Sequence, residues 1–220
     1  MELFHLVASL FQQPATMELT RMGVVYAHLI ACCVAIGLVL TSDIAMVKQL
    51  FQGRDSTEAD KEHLHTLKKT VLLALAALWV TGIGILALDY SQKGAMYFLN
   101  PKLQSKILVV ALLTLNGWVL HSVVMPAMDK AGSLLKMDIN ARSLALFSGV
   151  VSGVSWFYGA MLGIARPLSW KYSLGEIMVA YPVLICLGFV AMTLLVKWAA
   201  NRTPAQAKVP AGMTPALATC

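Results

Sequence analysis

The chain predicts an all-α fold, an integral membrane bundle of five transmembrane helices with an N-terminal interfacial helix. Three observations carry this. Five apolar stretches each approach the ~20 residues that an α-helix needs to cross a hydrocarbon core. Composition is 58% hydrophobic and 13% charged, about half the charged fraction of a soluble domain. Lys and Arg gather in the connections that flank the stretches. A backbone in lipid must satisfy its own hydrogen bonds, so the stretches are helices and not strands. One bundle accounts for all 220 residues and leaves no room for a second globular domain. The formal charge of +6 comes from loop residues, which marks topology and excludes nucleic acid as a partner; the lipid bilayer is the partner the composition names.

In chain order, residues 1–20 read as an outer interfacial amphipathic segment, with Leu3, Leu6 and Phe11 on its apolar side. They lack the basic leader and cleavage site of a signal peptide, and the first charge is Glu2. The bundle occupies 21–197, with spans at Met22–Thr41, Thr70–Tyr90, Ile107–Met125, Ser143–Ile164 and Ile177–Val196. Between the first two, periodicity continues through Val47, Leu50 and Phe51 to Gly53, and Ser56 or Thr57 then precedes Glu58 and Asp60. A C-terminal stop followed by an N-cap predicts a cytoplasmic helical hairpin at about 44–68. Its register sets Asp43 level with His65, Thr66 and Lys69, so an Asp43–His65 or Asp43–Lys69 contact is one expectation. Asp43 in headgroup water is the other.

In the fourth span, Gly149, Gly153, Gly159 and Gly163 form close-packing faces able to hold a partner membrane subunit, and Ala27, Ala31 and Ala35 do the same for the first. Pro182 should kink the fifth. Tyr90, Tyr97, Phe98, Trp170 and Tyr172 mark the outer interface, and Trp198 the inner one. Residues 198–220, rich in Pro, Ala and Thr, read as a disordered cytoplasmic tail.

Orientation follows from counting cations. Eleven Lys and Arg lie in the first and third connections and the tail, against six on the other side. The positive-inside rule then places the N-terminus outside and the C-terminus in the cytoplasm.

Two intramembrane histidines are the candidates for chemistry. His28 has Cys32 four residues on, hence on the same helix face, and His121 has Met125 and Met128 at four and seven residues beyond it. Imidazole, thiolate and thioether are soft ligands suited to copper or haem iron, so His28, Cys32, His121 and Met125 are candidate metal ligands, and His28 and His121 candidate holders of haem b. The competing reading is helix packing, with histidine hydrogen-bonded to a neighbour and methionine as filler. Depth argues against one haem shared by both. About eleven residues of rise at ~1.5 Å separate them by roughly 16 Å along the membrane normal. His5 is a possible outer partner for His28. His63 and His65, two apart, point about 200° away from each other and do not chelate. With no Walker loop, HExxH, CxxC or nucleophile elbow, the chain offers no hydrolase or transferase chemistry, at most a redox role. Cys32, Cys33 and Cys186 lie within spans and imply no disulfide framework.

The first span reads "YAHLIACCVAIGLVL", the second closes with "WVTGIGIL" (Trp79–Leu86), and "NPKLQSKILVVALLTLNG" (Asn100–Gly117) opens the third. A His-led helix, a helix ending in Thr-Gly and a Lys-led helix in this order resemble the membrane domain of the copper-resistance D family, over roughly Tyr26–Met128. That resemblance implies a bacterial inner-membrane protein associated with copper handling or haem-dependent electron transfer. It gives His28 a ligand role and Lys106 an anchoring role, and it offers no match for His121. An accessory or assembly subunit of a larger membrane complex is the alternative, as is a small-solute transporter with Asp43, His65 and Glu176 as waypoints.

Overall fold

The computed structural model describes residues 14–52 and 58–206. Among these there is no strand, and five segments are long and apolar enough to cross a membrane. The protein is a multi-pass helical bundle. Helix α1 (Pro14–Gln52) and helix α2 (Glu58–Lys93) form the first two spans. The third is α3 (Pro101–Val119), a π-helical turn (Leu120–Val124) and α4 (Met125–Ala131). The fourth is α5 (Ile139–Ile164), and the fifth is α6 (Leu174–Met178) followed by α7 (Ala180–Gln206).

The N-terminal helix is present, and residues 14–20 are its first turns, continuous with the first span. The rest of the expected interfacial segment, His5 included, lies outside the described residues. Both arms of the 44–68 hairpin are helical as far as they are described, and residues 53–57 at its tip lie outside. The tail boundary moves. Helix α7 continues through 198–206, where Ala199, Ala200 and Arg202 favour helix and Ala199 is buried, although Pro204 lies within the last turn. Residues 207–220 lie outside the described set.

Helix α1 packs along α2, α3 along α5, and α5 along α7, with α1 also touching α5. This makes α5 central, and its sequence explains why. Of the five spans it is the least apolar, with a mean hydropathy of 1.4, and the most buried. It carries polar groups that lipid would not accept but neighbouring helices can satisfy. Ser148 and Asn116 exchange hydrogen bonds: Asn116 Nδ2 donates to the Ser148 carbonyl and Ser148 Oγ to Asn116 Oδ1, both at 2.9 Å. Ser155 Oγ lies 2.8 Å from the Tyr181 hydroxyl, and the Tyr158 hydroxyl donates to the Ile177 carbonyl. The outward faces, among them Leu29, Val80, Leu115, Leu187 and Leu194, stay exposed for lipid.

Two prolines break the long spans. Pro182 has no N–H for the Met178 carbonyl, and α6 ends at Met178. Pro126 likewise cannot bond to Ser122, and the helix widens into its π turn just before it. Close approach is sharpest at Gly188 of α7, where an added Cβ would sit 2.8 Å from Val150 Cγ1. The ring pairs follow the expected belts: Tyr90 and Phe98 are 5.8 Å apart at one end of the bundle, Phe51 and Trp198 5.1 Å apart at the other.

Candidate functional site

Polar and titratable side chains concentrate in two places: the seam between α1 and α2, and a cavity nearer the Phe51 end.

In the seam, the two helices interlock at the motifs noted in the sequence. His28 Nδ1 lies 2.8 Å from Thr81 Oγ1. The threonine hydroxyl also lies 2.6 Å from the Ala77 carbonyl; when its hydrogen goes there, it accepts from an imidazole protonated at Nδ1. Gly82 packs beside the ring, where a Cβ would be in ordinary contact with His28 Cε1 at 3.7 Å, and Gly84 packs beside Val24 at 3.4 Å. The Thr-Gly pair of the second span thus lies against the histidine of the first. Cys32 packs one turn further along against the buried cluster of Ala35, Ala74, Leu78, Leu113 and Trp156.

The Tyr97 end of the same seam is closed by charge. Asp89 of α2 is 1% exposed, and its Oδ1 accepts from Arg21 Nε of α1 at 2.9 Å and from Lys93 Nζ at 3.1 Å. Lys93 also lies 4.7 Å from the centre of the Tyr97 ring, a cation–π arrangement. Burial, and then the hydrogen bond and charge of Asp89, push the Tyr97 hydroxyl up to about 12. Because this pKa is raised, the stabilising contribution of the neutral phenol is complete below about pH 10 and is lost as pH climbs through about 12. An ultraviolet phenolate titration should show late-ionising tyrosine, and Tyr97→Phe should reduce that late amplitude by one residue of the six. The alkaline loss of thermal stability in this window should shrink in the same variant.

The cavity has a volume of about 900 Å³ and is lined from all five spans. His121, on the π turn, is part of its wall together with Met125 and Met128. Met46 of α1, Met161 of α5 and Met192 of α7 join them, so five of the chain's twelve methionines line one space. Asp43 and Ser42 enter from α1 and Ser152 from α5. Gly153 makes the room for Asp43, whose Oδ2 lies 3.8 Å from where a Cβ would be.

The predicted residues are thus divided. His121 and Met125 meet at the cavity, whereas His28 and Cys32 belong to the α1–α2 seam and do not line it. The Asp43–Lys69 ion pair is not formed among the described residues, and Asp43 faces α5 across the cavity. The His65 side chain, like that of His63, lies outside the described set. Glu176 forms a reciprocal capping box with Ser173 at the start of α6, is exposed, and does not line the cavity. Of the expected glycine stripe, Gly153 and Gly159 receive the protein's own Asp43 and Val109. Among the described residues, no group of three or more His, Cys, Asp and Glu is gathered to hold a metal. A hard-ligand centre is therefore not built from them, and the soft donors of the cavity are what could hold an ion.

Sequence reasoning missed the Arg21–Asp89–Lys93 cluster, and an acid closing one span opposite a cation opening another was its available signal. It also missed Met46, Met161 and Met192, for which no signal exists along the chain. Comparison with family models, with curated proteins and with solved structures finds no match to this chain.

Proposed function

We propose that this protein handles copper within a bacterial inner membrane, N-terminus outside and C-terminus in the cytoplasm, with the His121–Met125–Met128 wall of the cavity as the metal site. The convergence of one imidazole and five thioethers on a single apolar space supports this reading. Thioether and imidazole are soft and borderline donors that select Cu(I) over the harder cations. The largely apolar surround adds to that preference by limiting water around the ion. Bound copper would supply a one-electron couple or a transferable cargo. The chain's part is to present His121 and Met125 at one wall of the cavity, with methionines from α1, α5 and α7 elsewhere on its lining. The likeness of the first three spans to the copper-resistance D family points the same way, although it centres on His28. In this protein His28 Nδ1 is engaged with Thr81, leaving Nε2 as its only ligating nitrogen.

The test is anaerobic Cu(I) titration of detergent-purified protein against a chromophoric chelator. Wild type should hold stoichiometric Cu(I). His121→Ala and Met125→Leu should each weaken it by at least about tenfold, while His28→Ala should leave the affinity unchanged. Protein that retains no copper at all would end this reading. The same His121–methionine pairing also suits one b-type haem with His and Met axial ligands, which a Soret band would reveal. Docking of a partner membrane subunit would fall to the exposed Gly163, at which an added Cβ meets nothing within 4 Å.

A further inference from the structure

We infer that the cavity is also a binding site for amphiphilic organic cations, with Asp43 as the counter-charge. A carboxylate set beside apolar walls gains from any cation brought to it. Asp89 already has two cations on one oxygen. Asp43, just past the end of the first apolar stretch and exposed, has none: among the described residues it makes no ion pair, and it lines the 900 Å³ space.

Every other feature of that space suits the apolar remainder of such a ligand. Its walls are mostly aliphatic, and Trp156, Phe157 and Tyr158 are among the residues that line it. Its methionines supply flexible, polarizable surface that adapts to different shapes. Its volume falls in the ~300–1,000 Å³ range of small-molecule sites. A hydroxyl pair, Ser42 and Ser152, is available to the polar head beside the acid. Charge complementarity fixes the class. A neutral lipid tail would leave Asp43 without a partner, an anion would be repelled, and a cation with a large apolar body satisfies both the carboxylate and the walls. Gly153 keeps the acid reachable, because a larger residue there would fill the space next to Oδ2.

This inference goes beyond the copper reading and stands or falls separately from it, since it rests on Asp43 and not on His121. The probes are tetraphenylphosphonium and the equally shaped anion tetraphenylborate. Saturable binding of each is measured by equilibrium dialysis on the full chain in lipid nanodiscs, with empty nanodiscs subtracted. Wild type should bind the phosphonium saturably and the borate not at all. Asp43→Asn should lose roughly tenfold or more in phosphonium affinity, Asp43→Glu should retain it within a few-fold, and Gly153→Leu should block it. All three variants should elute as wild type in size exclusion, and Asp43→Asn should keep its Cu(I). Equal binding of the two probes, or an Asp43→Asn variant that binds the phosphonium as wild type does, would overturn the inference: lipophilicity alone would then fill the cavity, as a lipid tail does. Loss of Cu(I) in His121→Ala together with unchanged phosphonium binding would separate the two proposals.

Discussion

Removing both cations that hold Asp89, in the double variant Arg21→Met, Lys93→Met, should lower the unfolding free energy by about 3–5 kcal/mol. The carboxylate is 1% exposed, whereas Arg21 and Lys93 are 40% and 49% exposed. The asymmetry decides which substitution hurts. An exposed cation that loses its partner can turn to water, so Asp89→Asn should cost only about 1–2 kcal/mol. A buried anion has no such escape, and it must either stay charged without a partner or take up a proton. Each cation alone covers for the other, and because both are partly solvated, a single Arg21→Met or Lys93→Met should cost no more than about 1 kcal/mol. The double variant should therefore exceed the sum of the two singles by a wide margin. Reversible denaturation in mixed micelles checks this, and additive singles would show that Asp89 is hydrated in place.

Gly188→Leu should be the second most damaging change. Even the first carbon of a side chain would meet Val150 Cγ1 at 2.8 Å, closer than two carbons can sit. The far end of Val150 is branched and stiff, so α5 and α7 must separate or bend. Overpacking of this kind costs about 1–3 kcal/mol. It would also loosen contacts on both sides of the clash, because Phe147 and Phe189 pack edge to face at 5.9 Å nearby. The control is Gly163→Ala in α5, where a Cβ meets nothing within 4 Å. That variant should be neutral, or more stable by about 0.5–1 kcal/mol through the higher helix propensity of alanine. Thermal unfolding of the two side by side tests whether close approach, and not glycine content, holds the bundle together.

Much of the architecture could be read from the chain because lipid imposes it locally. Twenty apolar residues must be a helix wherever they are placed, so the five spans needed no knowledge of neighbours. Pro182 was equally local, since its missing N–H acts on its own helix. What could not be read depends on which faces meet. His28 and Thr81 were both visible, but only the register of α1 on α2 makes one the partner of the other. Asp89 looked like an edge residue of a span until Arg21 was seen beside it. His121 and Met125 share a face by spacing alone, but the arrival of Met46, Met161 and Met192 is a property of the assembled bundle. For Asp43 the hairpin register offered His65 or Lys69, with headgroup water as the alternative. The Lys69 pair is not formed among the described residues, and what the register could not reveal is that Asp43 Oδ2 lies 3.8 Å from the Cβ position of Gly153 in α5.

The wide turn at Leu120–Val124 takes up one residue more than an α turn does. Deleting a single residue there would restore an unbroken helix and leave Met125–Ala131 close to their present rotational phase. It would also cut the spacing of His121 from Met125 to three residues and ask Pro126 to sit in a regular α turn, where its ring meets a carbonyl. The irregular turn thus lets the span carry both an extra residue and a proline without turning its methionines away from the cavity they line.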